Sequence, residues 1–173
     1  MIITKVELEN IKSYRQASVR LGPGTTAIRG HNGAGKSTLV EAIGFALFDT
    51  LPYSPASRFV REGEKNGQVV VTFQSRNDGR LYDSVRRVGS SASWHIYDPE
   101  LDIRMADGKE DVMDFLRMHI GLDSALGLDD LFTSAIAVPQ GTFTADFAQT
   151  AANRKRRFDA LLQVEEYKRA WDN

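Results

Sequence analysis

Residues Gly30-His31-Asn32-Gly33-Ala34-Gly35-Lys36-Ser37 satisfy the spacing G-x-x-x-x-G-K-[ST] at every fixed position. Few eight-residue patterns restrict a fold as strongly. Such a loop turns its backbone N–H groups inward around an anion, and glycines supply the dihedrals and the clearance. It also opens a helix, so that the positive end of the helix dipole meets the same anion. The flanking sequence agrees. Thr25 to Arg29 predicts a short strand running into the loop. After Gly35 the pattern turns helical, with Leu39, Ile43 and Leu47 on one face and Val40 and Ala46 beside it. The anion that fits is a polyphosphate, and the expected ligand is ATP with Mg²⁺. In that reading Asn32, Gly33, Ala34 and Gly35 surround the phosphates and Thr38 follows as a further binding position. Lys36 puts a point charge on the β/γ-phosphate oxygens, where it also serves catalysis, and Ser37 gives its hydroxyl to Mg²⁺.

The 173 residues are 42% apolar and 26% charged, which suffices for one domain with its own core. There are no cysteines, so disulfides and thiolate metal sites are excluded, and a reducing compartment fits. The opening MIITKVELEN alternates like a strand and lacks the basic and apolar regions of a signal peptide. No apolar run approaches the ~18–20 residues of a membrane-spanning helix, so the expected location is the cytoplasm. The net charge of −1 means that a nucleic-acid partner does not follow from overall charge.

Organisation follows from periodicity. Ile2, Thr4, Val6 and Leu8 alternate with Ile3, Lys5, Glu7 and Glu9, and Ala17, Val19 and Leu21 form a second short alternation. Gln68 to Gln74, Arg80 to Val88 and Trp94 to Asp98 predict three further strands in an antiparallel meander, with Asn77-Asp78-Gly79 as the first hairpin turn. From Gly108 the pattern is helical, with Val112, Phe115, Leu116, His119 and Ile120 on one face and Gly121 as the C-cap. A further helix is expected near Asp129, and Arg154 to the last residue reads as helix. That helix is uncapped at Asn173, which points to a truncated piece.

A complete nucleotide hydrolase needs more than the loop. It needs a carboxylate closing an apolar strand to hold Mg²⁺, and a group that orients the attacking water. Trp94-His95-Ile96-Tyr97-Asp98 comes nearest, but His95 interrupts it and the strand belongs to the meander. The absence of an Asn-Lys-x-Asp motif argues against guanine recognition.

The chain resembles the N-terminal lobe of SbcC-type, SMC-like ATPases, the ATPase subunits of a complex that processes DNA double-strand breaks. The resemblance lies in Glu9-Asn10-Ile11-Lys12-Ser13-Tyr14, in Asn32 to Thr38, in Glu41-Ala42-Ile43 through Phe48, and in Phe59-Val60-Arg61-Glu62-Gly63. It continues in Val138-Pro139-Gln140-Gly141 and in the helix from Arg154 to Tyr167. It implies an α/β, P-loop NTPase fold: the N-terminal lobe of an ABC-type head, with an antiparallel β meander and a C-terminal helix entering a coiled coil. Residues 1–153 would be the lobe and 154–173 the start of the coiled-coil helix. The resemblance also implies that Gln140 contacts Mg²⁺ and the attacking water. Lys12 and Ser13 occupy the position of a family Arg-Ser pair that contacts nucleotide, and Val60, Arg61 and Glu62 a loop lying over it. The implied partners are the C-terminal lobe of the same protein, a second ATPase head in an ATP-dependent dimer, an SbcD-type nuclease and double-stranded DNA, on the chromosome and not at a membrane. The catalytic carboxylates would come from the second lobe.

Two other readings compete. A chromosome-organising SMC head shares the lobe architecture, although the Ala145 to Tyr167 region favours the repair family. A self-contained P-loop kinase or ATPase is disfavoured by the missing carboxylate strand. The cluster Arg154-Lys155-Arg156-Arg157 reads more simply as a solvated face at the foot of the coil than as a contact for DNA or nuclease. His95 and His119 are expected to be structural. Tyr53 and Phe59, near the nucleotide loop, could line its pocket, but packing is the simpler account.

Overall fold

Strands with one apolar face need neighbours on both edges and a layer to cover that face. The computed structural model describes residues 1–121, 127–137, 150–153, 155, 159 and 171. The chain divides into two units, Met1–Leu122 and Asp123–Asn173.

In the first unit, among the described residues, six strands form one sheet in the order β2-β1-β3-β4-β5-β6, antiparallel throughout. They are β1 (Ile2–Ile11), β2 (Tyr14–Arg20), β3 (Asn66–Gln74), β4 (Leu81–Gly89), β5 (Ser93–Asp98) and β6 (Ile103–Asp107). The expected meander is therefore present, with one more strand. The bulge between Ile96 and Tyr97 shifts the β5–β6 register, and Ile103 and Met105 of β6 are exposed. An edge strand with its larger apolar residues outward gives no usable alternation.

Register aligns the core in rows. Val6, Val71, Ser84, Ile96 and Ala106 are cross-strand neighbours on the inner face, and all are buried. On the opposite face Glu7, Val70, Val85 and His95 form the matching row and are only half-buried. The inner face is covered by two helices, α1 (Lys36–Phe48) over β1, β3 and β4, and α2 (Lys109–Ile120) over β5 and β6.

The face of α1 differs from the expected one. Leu39, Ala42, Phe45 and Ala46 are buried together with Leu47 and Phe48, whereas Ile43 is half-buried and Val40 exposed. The helix is apolar almost all round, so its sequence does not specify which side meets the sheet. The sheet does. Ser84 Oγ donates to Ala46 O (2.6 Å), Trp94 Nε1 donates to the same carbonyl (3.1 Å), and Arg86 Nη1 donates to Phe45 O (2.5 Å). Arg86 also pairs with Asp49, which caps the helix in a left-handed conformation at φ 53°.

Helix α2 follows the sequence closely. Val112, Leu116 and His119 are buried, and Gly121 caps the end at φ 79°, its N–H donating to Arg117 O (3.0 Å). His119 Nδ1 lies 2.7 Å from Ser75 Oγ and its ring stacks on Phe115 at 4.0 Å, so it is structural, as expected. Burial lowers its pKa, partly offset by Asp78. The unfolded state, with an imidazole pKa of about 6.5, then binds more protons than the native state just below that pH. The contribution of His119 should therefore make stability fall as pH drops from 7.5 to 5.5. His119→Gln should flatten that fall in urea titrations at the two pH values; an unchanged slope would place the acid sensitivity elsewhere.

In the second unit, α3 (Leu128–Leu131) runs into a π-helical turn, Phe132–Ile136. This is where a helix near Asp129 was expected. Ala151 to Asn153 are helical, as are Lys155, Asp159 and Trp171, so helix begins before Arg154. Lys155 of the basic cluster pairs with Asp159 at 2.6 Å, one turn along. No helix among the described residues is long and apolar enough to cross a membrane.

Candidate functional site

The loop at Gly30–Ser37 leaves α1 at its N-terminal end, as the spacing requires. Gly33 and Gly35 have φ of 80° and 89°. Residues Gly22 to Ala34 are all exposed. Lys36 Nζ donates to the carbonyls of Gly30 (2.9 Å) and His31 (2.8 Å), and so draws the start of the loop over the helix end. Ser37 is exposed on the first turn, whereas Thr38 is buried.

The strand expected at Thr25 to Arg29 is absent: these residues are irregular and Ile28 is 44% exposed. A strand must give every backbone N–H and C=O a partner. None of the six strands pairs with this segment among the described residues. Pattern alone could not supply the missing neighbour.

The hairpin between β1 and β2 brings Lys12 and Ser13 to the loop. A Cβ on Gly35 would lie 2.7 Å from Ser13 Oγ and 2.7 Å from the Tyr14 ring, so the turn is packed against the last glycine of the loop. Tyr14 Oη donates to Gly35 O at 3.2 Å. Lys12 takes an uncommon left-handed conformation (φ 46°), and its backbone is fixed from the other side. Its N–H donates to Phe59 O (3.0 Å), and Arg61 Nη1 donates to Lys12 O (3.3 Å) and Ser13 O (2.9 Å). Ile11 and Val60 form an isolated antiparallel bridge. The structure thus assembles Lys12, Ser13, the loop, Val60 and Arg61 in one place. Glu62 is exposed beside Arg61. Val138, Pro139, Gln140 and Gly141 lie outside the described residues.

Sequence reasoning gave Tyr14 and Glu41 no role of their own at the site, and for Tyr53 it preferred packing. Tyr14 buttresses the loop, and Glu41 and Tyr53 surround the Lys12 side chain: Nζ is 3.6 Å from Glu41 Oε2 and 3.9 Å from the Tyr53 ring centroid. Tyr53 Oη donates to Glu41 Oε2 at 3.1 Å, and burial together with Glu41 raises the phenol pKa above its ordinary value. Such contacts join residues far apart in the chain, and no local pattern announces them. Phe59 is fully buried against Phe45, which settles it as packing.

Asp98, the nearest candidate for a metal-holding carboxylate, serves the sheet instead. It is fully buried at the end of β5, and its Oδ1 accepts the N–H groups of Glu100 (2.9 Å) and Leu101 (3.0 Å). Arg80 Nη2 is 2.8 Å from the other oxygen.

The loop suits a polyphosphate with Mg²⁺. Two glycines hold positive φ, the N-terminus of a 13-residue helix faces the loop, and a lysine and a serine stand on its first turn. The residues that position the loop, Ser13, Tyr14 and Arg61, all come from the sheet side.

Comparison with known proteins agrees with this geometry. A family model described as "AAA domain" matches residues 5–173. The curated protein "DNA double-strand break repair Rad50 ATPase" from Thermoplasma volcanium is 29% identical over 95% of the chain, which covers 18% of that relative. Its namesake from Thermoplasma acidophilum is 30% identical over 99% of the chain and is covered to 19%. The chain thus spans less than a fifth of the relatives it matches. A solved structure described as "Structural biochemistry of ATP-driven dimerization and DNA stimulated activation of SMC ATPases" superposes with a TM-score of 0.71 and 23% identity. The match covers 93% of this chain and 99% of that one. The chain therefore shares the fold of that structure.

Proposed function

The chain belongs to the AAA domain family, and on that premise we propose that it is the ATP-binding N-terminal lobe of a DNA double-strand-break repair ATPase. The observation that carries this is the loop Gly30–Ser37 opening α1, braced by Ser13 and Tyr14. The names of the full-length relatives support the repair assignment over a chromosome-organising one.

Lys36 would leave the carbonyls of Gly30 and His31 for the β/γ-phosphate oxygens, and the loop N–H groups would surround the same phosphates. Ser37 would hold Mg²⁺. The metal ion, when bound, neutralises charge on the β- and γ-phosphates. Lys12, Ser13 and Arg61 lie on the flank where nucleotide contacts from the β1–β2 turn are expected, and Gln140 would contact Mg²⁺ and the attacking water.

The site is composite in this reading. Asp98 is committed to the sheet. The segment Thr25–Arg29 has strand-forming sequence without a strand partner among the described residues, and exposed Ile28 and Val40 lie on either side of the loop in sequence. Both features suit completion by a C-terminal lobe that supplies neighbouring strands and the catalytic carboxylate. Residues 1–153 would form this lobe, and 154–173 the start of a coiled-coil helix. A second head would cap the γ-phosphate. ATP-dependent pairing of heads would gate an SbcD-type nuclease on double-stranded DNA, in the cytoplasm at the chromosome.

The purified chain should bind Mg-ATP and hydrolyse it negligibly, and Lys36→Ala should abolish the binding. Isothermal titration and a phosphate-release assay decide it. Robust turnover that depends on Lys36 would defeat the composite site, and absence of Lys36-dependent binding would defeat the nucleotide reading altogether.

A further inference from the structure

The Lys12 side chain does not point at the phosphate loop. Its ammonium group lies beside Glu41, five residues along α1 from Lys36 and so about 7.5 Å down the helix axis. There it is held on one side by the Glu41 carboxylate at 3.6 Å and on another by the face of Tyr53 at 3.9 Å. The Tyr53 hydroxyl donates to that same carboxylate at 3.1 Å, so the three groups form a closed triangle. Lys12 and Glu41 are only partly exposed, at 35% and 22% of their side chains, so solvent screens the pair incompletely.

The backbone at Lys12 is fixed, by contrast with its side chain. Phe59 O accepts its N–H, Arg61 holds its carbonyl and that of Ser13, and the following turn is packed against Gly35. The residue is therefore anchored one position from the loop while its four-carbon stem can swing. A cation there has two anionic destinations, the Glu41 carboxylate or a polyphosphate in the loop, and a single ammonium group cannot serve both in full.

We propose that Glu41 and Tyr53 form a resting cradle for the Lys12 ammonium group, and that nucleotide binding draws Lys12 out of it. Glu41 is then a positioning residue that weakens nucleotide affinity by holding the lysine back. The inference rests on the nucleotide reading of the loop given above. It makes the affinity of the site the outcome of a competition between a fixed carboxylate and the incoming phosphates.

The test is a double-mutant cycle on Mg-ATP affinity in the 173-residue chain. Glu41→Gln keeps the shape and an acceptor for the Tyr53 hydroxyl but removes the charge. It should tighten Mg-ATP binding about fivefold, the upper end of the scale for a partly exposed ion pair. In a Lys12→Ala background the same change should have no effect. Tyr53→Leu removes the ring under the ammonium and should act in the same direction, again only when Lys12 is present. Melting curves of each variant check the fold. An equal effect of Glu41→Gln with and without Lys12, no effect at all, or a Lys12-dependent weakening would each overturn the cradle. Lys36→Ala separates the two levels. If the unaltered chain shows no Lys36-dependent binding, the nucleotide reading fails and the cradle fails with it.

Discussion

Arg86→Ala should lower the stability of the first unit by about 3 kcal/mol, the lower end of the range for breaking an ion pair that is mostly buried, as Arg86 and Asp49 are. Arg86 extends from β4 to the C-terminal end of α1. Its guanidinium donates to Phe45 O at 2.5 Å and pairs with Asp49, while its plane lies between the rings of Phe45 (4.1 Å) and Trp94 (4.0 Å). One planar group thus satisfies an orphan helix carbonyl, complements the negative end of the helix dipole and fills space between two aromatic rings. Its truncation removes all three contacts. The loss stays near the lower end because Lys109 Nζ, 2.6 Å from Asp49 Oδ2, still pairs with that carboxylate. Burial pushes the Asp49 carboxyl upward, but Lys109 and Arg86 overcome this and hold its pKa below the usual value. That part of the stability is present above about pH 4 and is lost as pH falls through the folded pKa. Arg86→Lys keeps the charge without the fork or the stacking and should cost roughly half as much. Urea denaturation of the three proteins at pH 7 gives the ordering. A loss below about 1 kcal/mol for Arg86→Ala would mean that apolar burial alone seats α1.

The consequence is functional, because α1 carries the phosphate loop at its other end. Helix α1 is apolar on almost every side, so burial alone would tolerate rotation about its axis. Ser84, Arg86 and Trp94 remove that freedom by hydrogen-bonding the carbonyls of Phe45 and Ala46. This explains why the loop was legible in the sequence while the buried face of its helix was not. The loop is specified locally, by glycine spacing and by lysine and serine on the first turn. The orientation of the helix is specified by polar groups 37 to 48 residues away along the chain.

The same distinction sorts the remaining expectations. The strands of the meander and α2 were legible because their alternation and caps are local. Thr25 to Arg29 has the composition of a strand, but a strand exists only with neighbours. β6 was hidden because its inward residue is a small alanine and its large apolar residues face out. Within the site, Lys12, Ser13, Val60 and Arg61 came from family resemblance, and the structure gives their proximity a physical cause in the Arg61 bonds to the turn. Tyr14, Glu41 and Tyr53 are ordinary residues at ordinary spacings, and only the hairpin and the packing of α1 give them a role.

Gly35→Ala should reduce Mg-ATP affinity by about 100-fold, equivalent to roughly 2.7 kcal/mol, while the chain remains folded. Two independent costs meet at this position. The first is conformational: φ is 89°, a region where a Cβ costs about 1–2 kcal/mol. The second is steric: the added methyl group would lie 2.7 Å from Ser13 Oγ and 2.7 and 2.9 Å from two ring carbons of Tyr14. Relief requires either the Tyr14 ring to withdraw, which breaks its bond to Gly35 O, or the loop to lift from the helix end. Either movement spoils the convergence of N–H groups on which the anion site depends. The two costs can be separated. Tyr14→Ala opens the space on the ring side without changing φ, so in the double variant the ring's steric share should disappear, while the conformational share and the Ser13 contact remain. The measured coupling between the two substitutions should then be about 1 kcal/mol and favourable. Simple additivity of the two losses in affinity would show that Tyr14 does not brace the loop. Wild-type affinity in Gly35→Ala alone would remove the loop from the binding site.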